Sequence, residues 1–316
     1  MKKLERSYSR VLVFAMLFLL SSVGTIAGPF PRNVHRIVFI GNSITYDGKY
    51  VVDIESYFIT HYPDTHFEFI NAGLPSETVS GLSEEGHADG RFPRPDLHER
   101  LARVLAQTKP DLVFASYGMN DGIYLPFDEQ RFQKFKDGIT WLHDEVIKYG
   151  AKIIHLTPPV YDETTGSNKG YAAVLDRYSE WLLEQSKKQK WQVADIHFAM
   201  KNILEQERKA NPSFTLARDG VHPGEEGHWI MAKQILLFLG EKKITDRAST
   251  LTPDANANAI LALVTKKQDI MKDAWLTATK HTRPEMNTGL PLNEAKAKAA
   301  DIDKQINALL NTRKRS

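Results

Sequence analysis

Serine, histidine and aspartate side chains stand in this chain at positions that suit nucleophilic catalysis. Ser43 follows shortly after an apolar run that ends at Ile40, and Asp219 comes three residues before His222. A serine hydroxyl attacks a carbonyl at neutral pH only when a nearby imidazole takes its proton. A carboxylate at this spacing can fix the tautomer of the imidazole and stabilise the imidazolium that forms. The pattern suits acyl transfer through a serine nucleophile, and a simple helix cap is the alternative for a serine between a strand and a helix.

Two further positions could stabilise the negative charge that develops on a carbonyl oxygen. Gly73 follows the second apolar run, and Asn120 follows the third. We expect the backbone N–H groups of Ser43 and Gly73 and the side-chain amide of Asn120 to act as donors, each contributing about 3 to 4 kcal/mol. Glycine suits position 73 because a side chain there would hold the backbone away from a substrate. A simple turn at Gly73 and an Asx turn at Asn120 are the alternatives.

Residues around these positions are candidates for substrate contact. Tyr117, Tyr124 and Tyr161 could stack on sugar rings, and Asp121 either organises its loop or touches the substrate. A rival for the catalytic base is His228, whose place inside a predicted helix favours a structural role.

The loops that carry these residues follow short apolar segments that alternate with amphipathic helical patterns. Such alternation is typical of an α/β fold in which helices cover both faces of a parallel sheet. Ligands bind these sheets beyond the carboxyl ends of the strands, so we expect the polar residues above to converge on one edge. The predicted strands are Arg36 to Ile40, Phe67 to Asn71, Leu112 to Ser116, Lys152 to Thr157 and Val193 to His197.

Over roughly residues 35 to 240 the chain resembles the SGNH hydrolase superfamily, also called GDSL-like hydrolases. The resemblance lies in the segments Gly41-Asn42-Ser43, Gly73, Gly118-Met119-Asn120-Asp121 and Asp219-Gly220-Val221-His222. It implies a three-layer αβα, flavodoxin-like doubly wound sheet of five parallel strands. It also implies that Ser43 is the nucleophile of a triad with Asp219 and His222, and that Gly73 and Asn120 belong to the oxyanion hole. The family's usual Gly-Asp-Ser has asparagine at position 42 here, from which we expect a modest retuning of the nucleophile turn.

After Thr252 the alternation gives way to two amphipathic helices separated by Pro284 and Pro291. They predict a helical hairpin that packs on the main domain or on a second subunit. Its connector, residues 281–290, contains Arg283 and could reach the catalytic edge to bind an acidic sugar, although a packing or dimerisation role is the simpler expectation. We predict three units: a signal peptide at 1–27, a hydrolase domain at 28–245 and a helical extension at 246–316.

The amino terminus has the three parts of a secretory signal. Lys2, Lys3, Arg6 and Arg10 precede the apolar block 11–20, and small residues end at Ala27, after which we predict cleavage. The block is too short to span a bilayer, which needs about 20 apolar residues. We therefore expect a secreted or periplasmic protein without a membrane span in its mature form, with an uncleaved anchor as the alternative.

Composition excludes several other functions. The 41 Lys and Arg residues nearly balance 39 Asp and Glu residues, so no general attraction to nucleic acid or anionic lipid is expected. The chain has no cysteine and hence no disulfide, thiolate nucleophile or sulfur-ligated metal. No zinc spacing or phosphate-binding glycine motif is present, so neither a metal nor another cofactor is expected, although His155 and His197 leave a shared metal open.

Export and the family resemblance together predict a serine carbohydrate esterase that removes small acyl groups, chiefly acetyl, from saccharides. A lipase or thioesterase of the same fold is the first alternative, and the polar loop from Glu77 to Pro95 argues against the wide apolar mouth that it would need. A noncatalytic carbohydrate-binding protein with a vestigial triad is the second, and the completeness of the predicted site argues against it. A homo-oligomer is compatible with the sequence.

Overall fold

A computed structural model describes residue 30 and residues 33–313 of the chain. Five parallel strands form one sheet in the order β2-β1-β3-β4-β5. The strands are β1 (Arg36–Gly41), β2 (Glu68–Asn71), β3 (Leu112–Ser116), β4 (Lys152–Leu156) and β5 (Gln192–Ala194). The predicted α/β doubly wound sheet is confirmed. The predicted signal peptide and its cleavage point lie outside the described residues.

Ten α-helices connect and flank the strands. They are α1 (Ser43–Asp47), α2 (Lys49–His61), α3 (Leu101–Thr108), α4 (Glu129–Tyr149), α5 (Tyr171–Lys188), α6 (His197–Ala210), α7 (Glu225–Phe238), α8 (Arg247–Leu251), α9 (Ala255–Thr279) and α10 (Leu292–Arg313), as found within the described residues. The strand order reverses beside β1, so the helix after β1 is expected on one face of the sheet and the helices that follow β2, β3 and β4 on the other. Helices α2 and α7 pack together, while α4 meets α5 through the stacked rings of Phe135 and Tyr178.

The strands are almost continuously buried because helices cover both faces of the sheet. All five residues of β3, the central strand, are buried. Residues Gly41 of β1 and Ser116 of β3 are paired at their carboxyl ends, so the loops that leave these strands start side by side. This register brings the segments after β1 and β3 to the same edge of the sheet.

The last predicted strand, Val193 to His197, is too long. In the structure β5 ends at Ala194, and His197 is the first residue of α6. The Thr157 hydroxyl oxygen accepts hydrogen bonds from the backbone N–H groups of Ile196 and His197, at 2.7 and 2.9 Å. These bonds turn the chain away from the sheet.

The predicted C-terminal hairpin is formed by α9 and α10, and α9 covers the edge strand β2. The Gln268 side chain on α9 donates to the Phe69 carbonyl of β2 at 3.0 Å, and Trp275 is 2% exposed in the main core. The hairpin is therefore continuous with the hydrophobic core. No helix among the residues described is long and apolar enough to cross a bilayer.

Candidate active site

Ser43 is the first residue of α1, directly after the carboxyl end of β1. The Asn42 side-chain oxygen accepts a hydrogen bond from the Ile44 N–H at 3.0 Å and caps the helix. Asparagine and aspartate cap helices about equally well, which explains why asparagine is tolerated before the nucleophile position. A side chain at Gly41 would meet the Ser116 carbonyl at 2.7 Å and the Thr45 hydroxyl. The sequence Gly-Asn-Ser thus allows the tight strand-to-helix turn that presents Ser43.

The Ser43 hydroxyl and the His222 imidazole are in contact, although 179 residues separate them in the chain. Ser43 Oγ lies 2.8 Å from His222 Nε2, and His222 Nδ1 lies 2.6 Å from Asp219 Oδ2. The second Asp219 oxygen accepts from the backbone N–H groups of His222 and Val221, at 2.8 and 2.9 Å. With Nδ1 donating to the carboxylate, Nε2 is free to accept the serine proton.

The Asp219 carboxylate is held in its ionised form. Burial raises its pKa, but the hydrogen bonds from the His222 ring and from the backbone of His222 and Val221 outweigh burial, so the pKa lies below its usual value. An ionised Asp219 favours the Nδ1–H tautomer of His222. The Ser43, His222 and Asp219 side chains thus form one continuous hydrogen-bonded relay.

The Asn120 side chain is buried and oriented from two sides. One N–H of its amide donates to the Glu77 carbonyl at 3.1 Å, and its oxygen accepts from the Tyr124 hydroxyl at 3.0 Å. These bonds fix which end of the amide is the donor. The second N–H of Asn120 remains available for a substrate oxygen.

Gly73 has a local role that differs from the predicted one. Its N–H donates to the Asn71 side-chain oxygen at 3.0 Å, so the predicted oxyanion contact would require this bond to break. A side chain at Gly73 would collide with the backbone of Thr45 and Tyr46 in α1, and not with a substrate. The physical reason for glycine at 73 is therefore the close approach of the β2 loop to the nucleophile helix.

Ser76, in the same loop, has a backbone N–H that the sequence analysis did not consider as a candidate donor. Its backbone is left-handed, with φ of 67°, and among the described residues no acceptor is found for its N–H. The next residue, Glu77, accepts the Asn120 amide through its carbonyl, which places this part of the loop beside Asn120. No sequence signal identifies Ser76, because left-handed backbone is ordinarily the mark of glycine or asparagine.

Three of the four residues expected to contact the substrate are buried, which contradicts that expectation. Tyr117 and Tyr161 are only 1% and 3% exposed, so neither ring can stack on a sugar in this structure. Asp121 is fully buried and accepts from the backbone N–H groups of Val79, Ser80 and Gly118, which makes it the organiser of its loop. Of the predicted contacts, only Tyr124 is partly exposed.

His228, His155 and His197, the other histidines considered for catalysis or metal binding, have partners away from Ser43. His228 Nε2 lies 2.9 Å from Asp47 Oδ2 at the end of α1, which agrees with the structural role expected for it. His155 Nε2 contacts His143 Nδ1 at 3.0 Å, whereas His197 Nε2 contacts Asp176 at 2.7 Å, so the two histidines do not share a site. Within the described residues no group of three or more potential ligands is arranged to hold a metal ion.

A buried ion pair supports the loop that contains Ser76. The Arg100 guanidinium donates to both oxygens of Glu77, at 2.6 and 2.8 Å, and to the Ala72 carbonyl at 2.9 Å. The Tyr117 hydroxyl donates to the same Glu77 carboxylate at 2.6 Å. Burial raises the pKa of Glu77, and the facing guanidinium opposes that rise. Arg100 thereby ties together both ends of the loop from Ala72 to Glu77.

Replacing Glu77 with glutamine is expected to lower the free energy of unfolding by about 3 to 5 kcal/mol, because the Arg100 charge would remain buried without a counter-ion. Denaturant unfolding measures the change. The matched control is Glu68→Gln, which breaks a partly exposed pair with Arg36 at 2.7 Å and should cost less than about 1 kcal/mol. Equal losses in the two variants would contradict the structural importance of the buried pair.

Comparison with known proteins provides independent information on this chain. Residues 39–230 match the sequence profile of the GDSL-like Lipase/Acylhydrolase family. An acetylxylan esterase of Geobacillus stearothermophilus is 25% identical over 232 residues, which cover 67% of this chain and 97% of that protein.

Solved structures share the fold. The crystal structure of Axe2, an acetylxylan esterase from Geobacillus stearothermophilus, matches with a TM-score of 0.52 and 23% identity over 67% of this chain and 97% of that one. A gut microbial diltiazem-metabolizing enzyme matches with a TM-score of 0.54 and 24% identity over 67% of this chain. The match covers 49% of that enzyme, so this chain spans about half of its length.

Proposed function

Because the chain belongs to the GDSL-like lipase/acylhydrolase family and is a carboxylic ester hydrolase, we propose that it removes small acyl groups, chiefly acetyl, from saccharides through an acyl-enzyme intermediate. The observation that carries the mechanism is the continuous contact from Ser43 Oγ to His222 Nε2 and from His222 Nδ1 to Asp219. The relay is partly exposed at the edge of the sheet, where a polymer-bound ester has access.

Acylation begins when Ser43 Oγ attacks the ester carbonyl and His222 Nε2 takes the hydroxyl proton. Asp219 stabilises the imidazolium without accepting its proton. When the tetrahedral intermediate collapses, the bond to the alcohol oxygen breaks, and His222 returns the proton to that oxygen. The saccharide leaves with a free hydroxyl, and the acyl group stays on Ser43. Water then attacks the acyl carbonyl while His222 takes its proton. The bond from the acyl carbon to Ser43 Oγ breaks, His222 returns the proton to Oγ, and the free acid leaves.

Charge on the intermediate oxygen needs hydrogen-bond donors. We assign this role to the backbone N–H of Ser43, the second amide N–H of Asn120 and the N–H of Ser76. Ser76 replaces Gly73 in this assignment because the Gly73 N–H is already bonded to Asn71. The buried Glu77–Arg100 pair would hold the Ser76 donor in position.

The acyl and alcohol parts of the substrate are proposed from two observations. The relative from Geobacillus stearothermophilus is named for action on acetylated xylan. The loop from Glu77 to Pro95 borders Asn120 through the Glu77 carbonyl and is largely polar, which suits a hydrated saccharide better than a lipid. We further propose, from the sequence of the first 27 residues, that the enzyme acts outside the cytoplasm.

Acetate release from acetylated xylo-oligosaccharides, compared with hydrolysis of 4-nitrophenyl esters of increasing chain length, tests the proposed substrate. We expect the highest kcat/KM for acetyl esters and a steep fall beyond about four carbons. A preference for long acyl chains would favour the lipase alternative and overturn the saccharide assignment.

Replacing Asn120 with alanine is expected to lower kcat by about 10²- to 10³-fold, as removal of one oxyanion donor typically does. Steady-state kinetics with 4-nitrophenyl acetate measures the loss. A matched control is Asn211→Ala, which changes an exposed asparagine in the loop after α6 and should leave kcat within about twofold. If Asn120→Ala raises KM while kcat stays unchanged, Asn120 binds the ground state and is not an oxyanion donor.

A further inference from the structure

The connector between α9 and α10 (residues 280–291) lies against the polar loop of residues 77–95. Arg91 in that loop forms an ion pair with Glu285 in the connector. The Arg283 guanidinium lies over the Phe92 ring, with its carbon 5.1 Å from the ring centroid. The connector therefore reaches the same loop that carries Glu77 and borders Asn120.

Arg283 is a half-buried cation without a counter-ion. Its Nη1 donates to the Pro284 carbonyl at 2.8 Å, whereas its Nε is buried and has no acceptor among the described residues. No described carboxylate oxygen lies within 4.0 Å of it, although the neighbouring Arg94 pairs with Glu84 at 2.6 Å. Burial lowers the pKa of Arg283, Tyr46 acts in the opposite direction, and the charge of Arg91 lowers it further. A bound anion would form strong, charge-assisted hydrogen bonds with such an unpaired guanidinium.

Two histidine nitrogens beside Arg283 share this lack of a partner. His87 Nε2 and His281 Nδ1 are both buried, and neither has a hydrogen-bond partner in the part of the chain that the structure describes. Burial is the main cause that lowers the pKa of each ring, and the charge of Arg283 lowers both. A neutral His87 ring retains one N–H, which can be donated to an anion, whereas the His281 ring already has a hydrogen bond with the Arg283 backbone.

This group of side chains is connected to Asn120 through the polar loop. The rings of His87 and Phe92 have centroids 5.5 Å apart, Arg283 lies over Phe92, and His87 Nδ1 lies 3.8 Å from Glu84, which pairs with Arg94. Across the polar loop, the Arg94 guanidinium carbon lies 5.3 Å from the centroid of Tyr124, whose hydroxyl donates to Asn120 at 3.0 Å. The polar loop therefore connects Arg283 with the side of the site at which Asn120 lies.

We propose that Arg283, with His87 beside it, forms an anion-binding subsite that selects acylated saccharides carrying a negative group, such as the carboxylate of a uronic acid. A guanidinium fork matches the two oxygens of a carboxylate, and the N–H of a neutral His87 ring adds one donor. A sulfate ester has the same chemistry and is the second source of such an anion. The subsite rests on the esterase function proposed above.

The test compares hydrolysis by the full chain of three acetylated oligosaccharides: one of uronic acid units, one that is sulfated and one that is neutral. We expect Arg283→Gln to lower the ratio of kcat/KM for the anionic to the neutral ester by about 10- to 100-fold, the size of a lost charge-assisted hydrogen bond. Arg283→Lys should restore part of the ratio. The charge-matched control is Lys296→Gln, which removes a cation that lies 4.9 Å from the Trp275 ring on the same hairpin, and it should leave the ratio unchanged.

A binding measurement tests the anion subsite independently of the esterase proposal. Calorimetry with unesterified trigalacturonate, a sulfated trisaccharide and neutral xylotriose needs no turnover. Tighter binding of either anionic sugar, lost in Arg283→Gln, supports the subsite even if no saccharide is deacetylated. Equal binding of all three sugars, or an equal loss of activity toward anionic and neutral esters in Arg283→Gln, would overturn it while leaving the esterase proposal intact.

Discussion

Alanine at position 43 is expected to lower kcat for 4-nitrophenyl acetate by about 10⁶-fold, the loss typical of a triad nucleophile. The proposed mechanism leaves no other oxygen that both contacts His222 Nε2 and can carry the acyl group. The change removes one partly exposed hydroxyl, and the Asn42 cap of α1 does not depend on it. Thermal unfolding should therefore be almost unaffected.

Two measurements complete this prediction. Labelling with a phosphonofluoridate should modify the native chain at Ser43 and should fail in Ser43→Ala. Ser213→Ala, which removes an exposed hydroxyl in the loop after α6, is the matched control and should retain full activity. Residual hydrolysis of more than about one per cent in Ser43→Ala would refute the assignment of the nucleophile, since triad knockouts fall far below that level.

Deletion of all residues after Asp246 is expected to abolish the cooperatively folded protein. The deletion uncovers two buried carboxylates on α2. Asp53 would lose Arg247, whose Nη2 lies 2.8 Å away, and Glu55 would lose Lys267 at 2.7 Å. A charge that stays buried without its partner costs about 3 to 5 kcal/mol, but the deletion also admits water to these carboxylates, so the larger part of the loss is expected from the apolar surface that it exposes.

Apolar exposure adds to the effect of this deletion. Trp275 and Met271 leave the main core, and Val52 of α2 loses the smaller cluster formed with Ile260 and Ile306. We propose on this basis that the extension of residues 246–316 is part of the folding unit of the hydrolase domain at 28–245. Circular dichroism during heating measures the outcome, and a chain that lacks only residues 311–316 is the control. A cooperative transition in the long truncation would show that the extension is dispensable for folding.

Local patterns predicted the sheet well and one boundary poorly. Four strands end within one residue of their predicted carboxyl ends, because runs of Val, Ile and Phe mark buried parallel strands regardless of their neighbours. The fifth ends three residues early. Its end is set by Thr157, directly after the neighbouring strand β4, whose hydroxyl oxygen accepts hydrogen bonds from the N–H groups of residues 196 and 197. A side chain about 40 positions away leaves no trace in the local pattern.

At the candidate site, too, residue types predicted one part of the arrangement and packing determined the other. The residue types of Ser43, Asp219 and His222 predicted the proposed chemistry, because only a few side chains can attack a carbonyl or relay a proton, and the structure brings the three into contact. The role expected of Gly73 depended on where the loop after β2 lies, and the structure places that loop against α1. Tyr117 and Asp121 were expected near a substrate, yet both are buried beneath the loops that they organise.

By itself, the sequence determined the class of fold, the kind of reaction and the residues able to perform it, since periodicity sets which faces are buried and side-chain type sets reactivity. Tertiary structure alone decided which donors are free, which residues support them and where the C-terminal connector lies. Contacts such as Ser43 with His222, 179 positions apart, and Arg91 with Glu285, 194 positions apart, arise when distant segments share one edge of the sheet. Packing determines such contacts, and no local pattern encodes them.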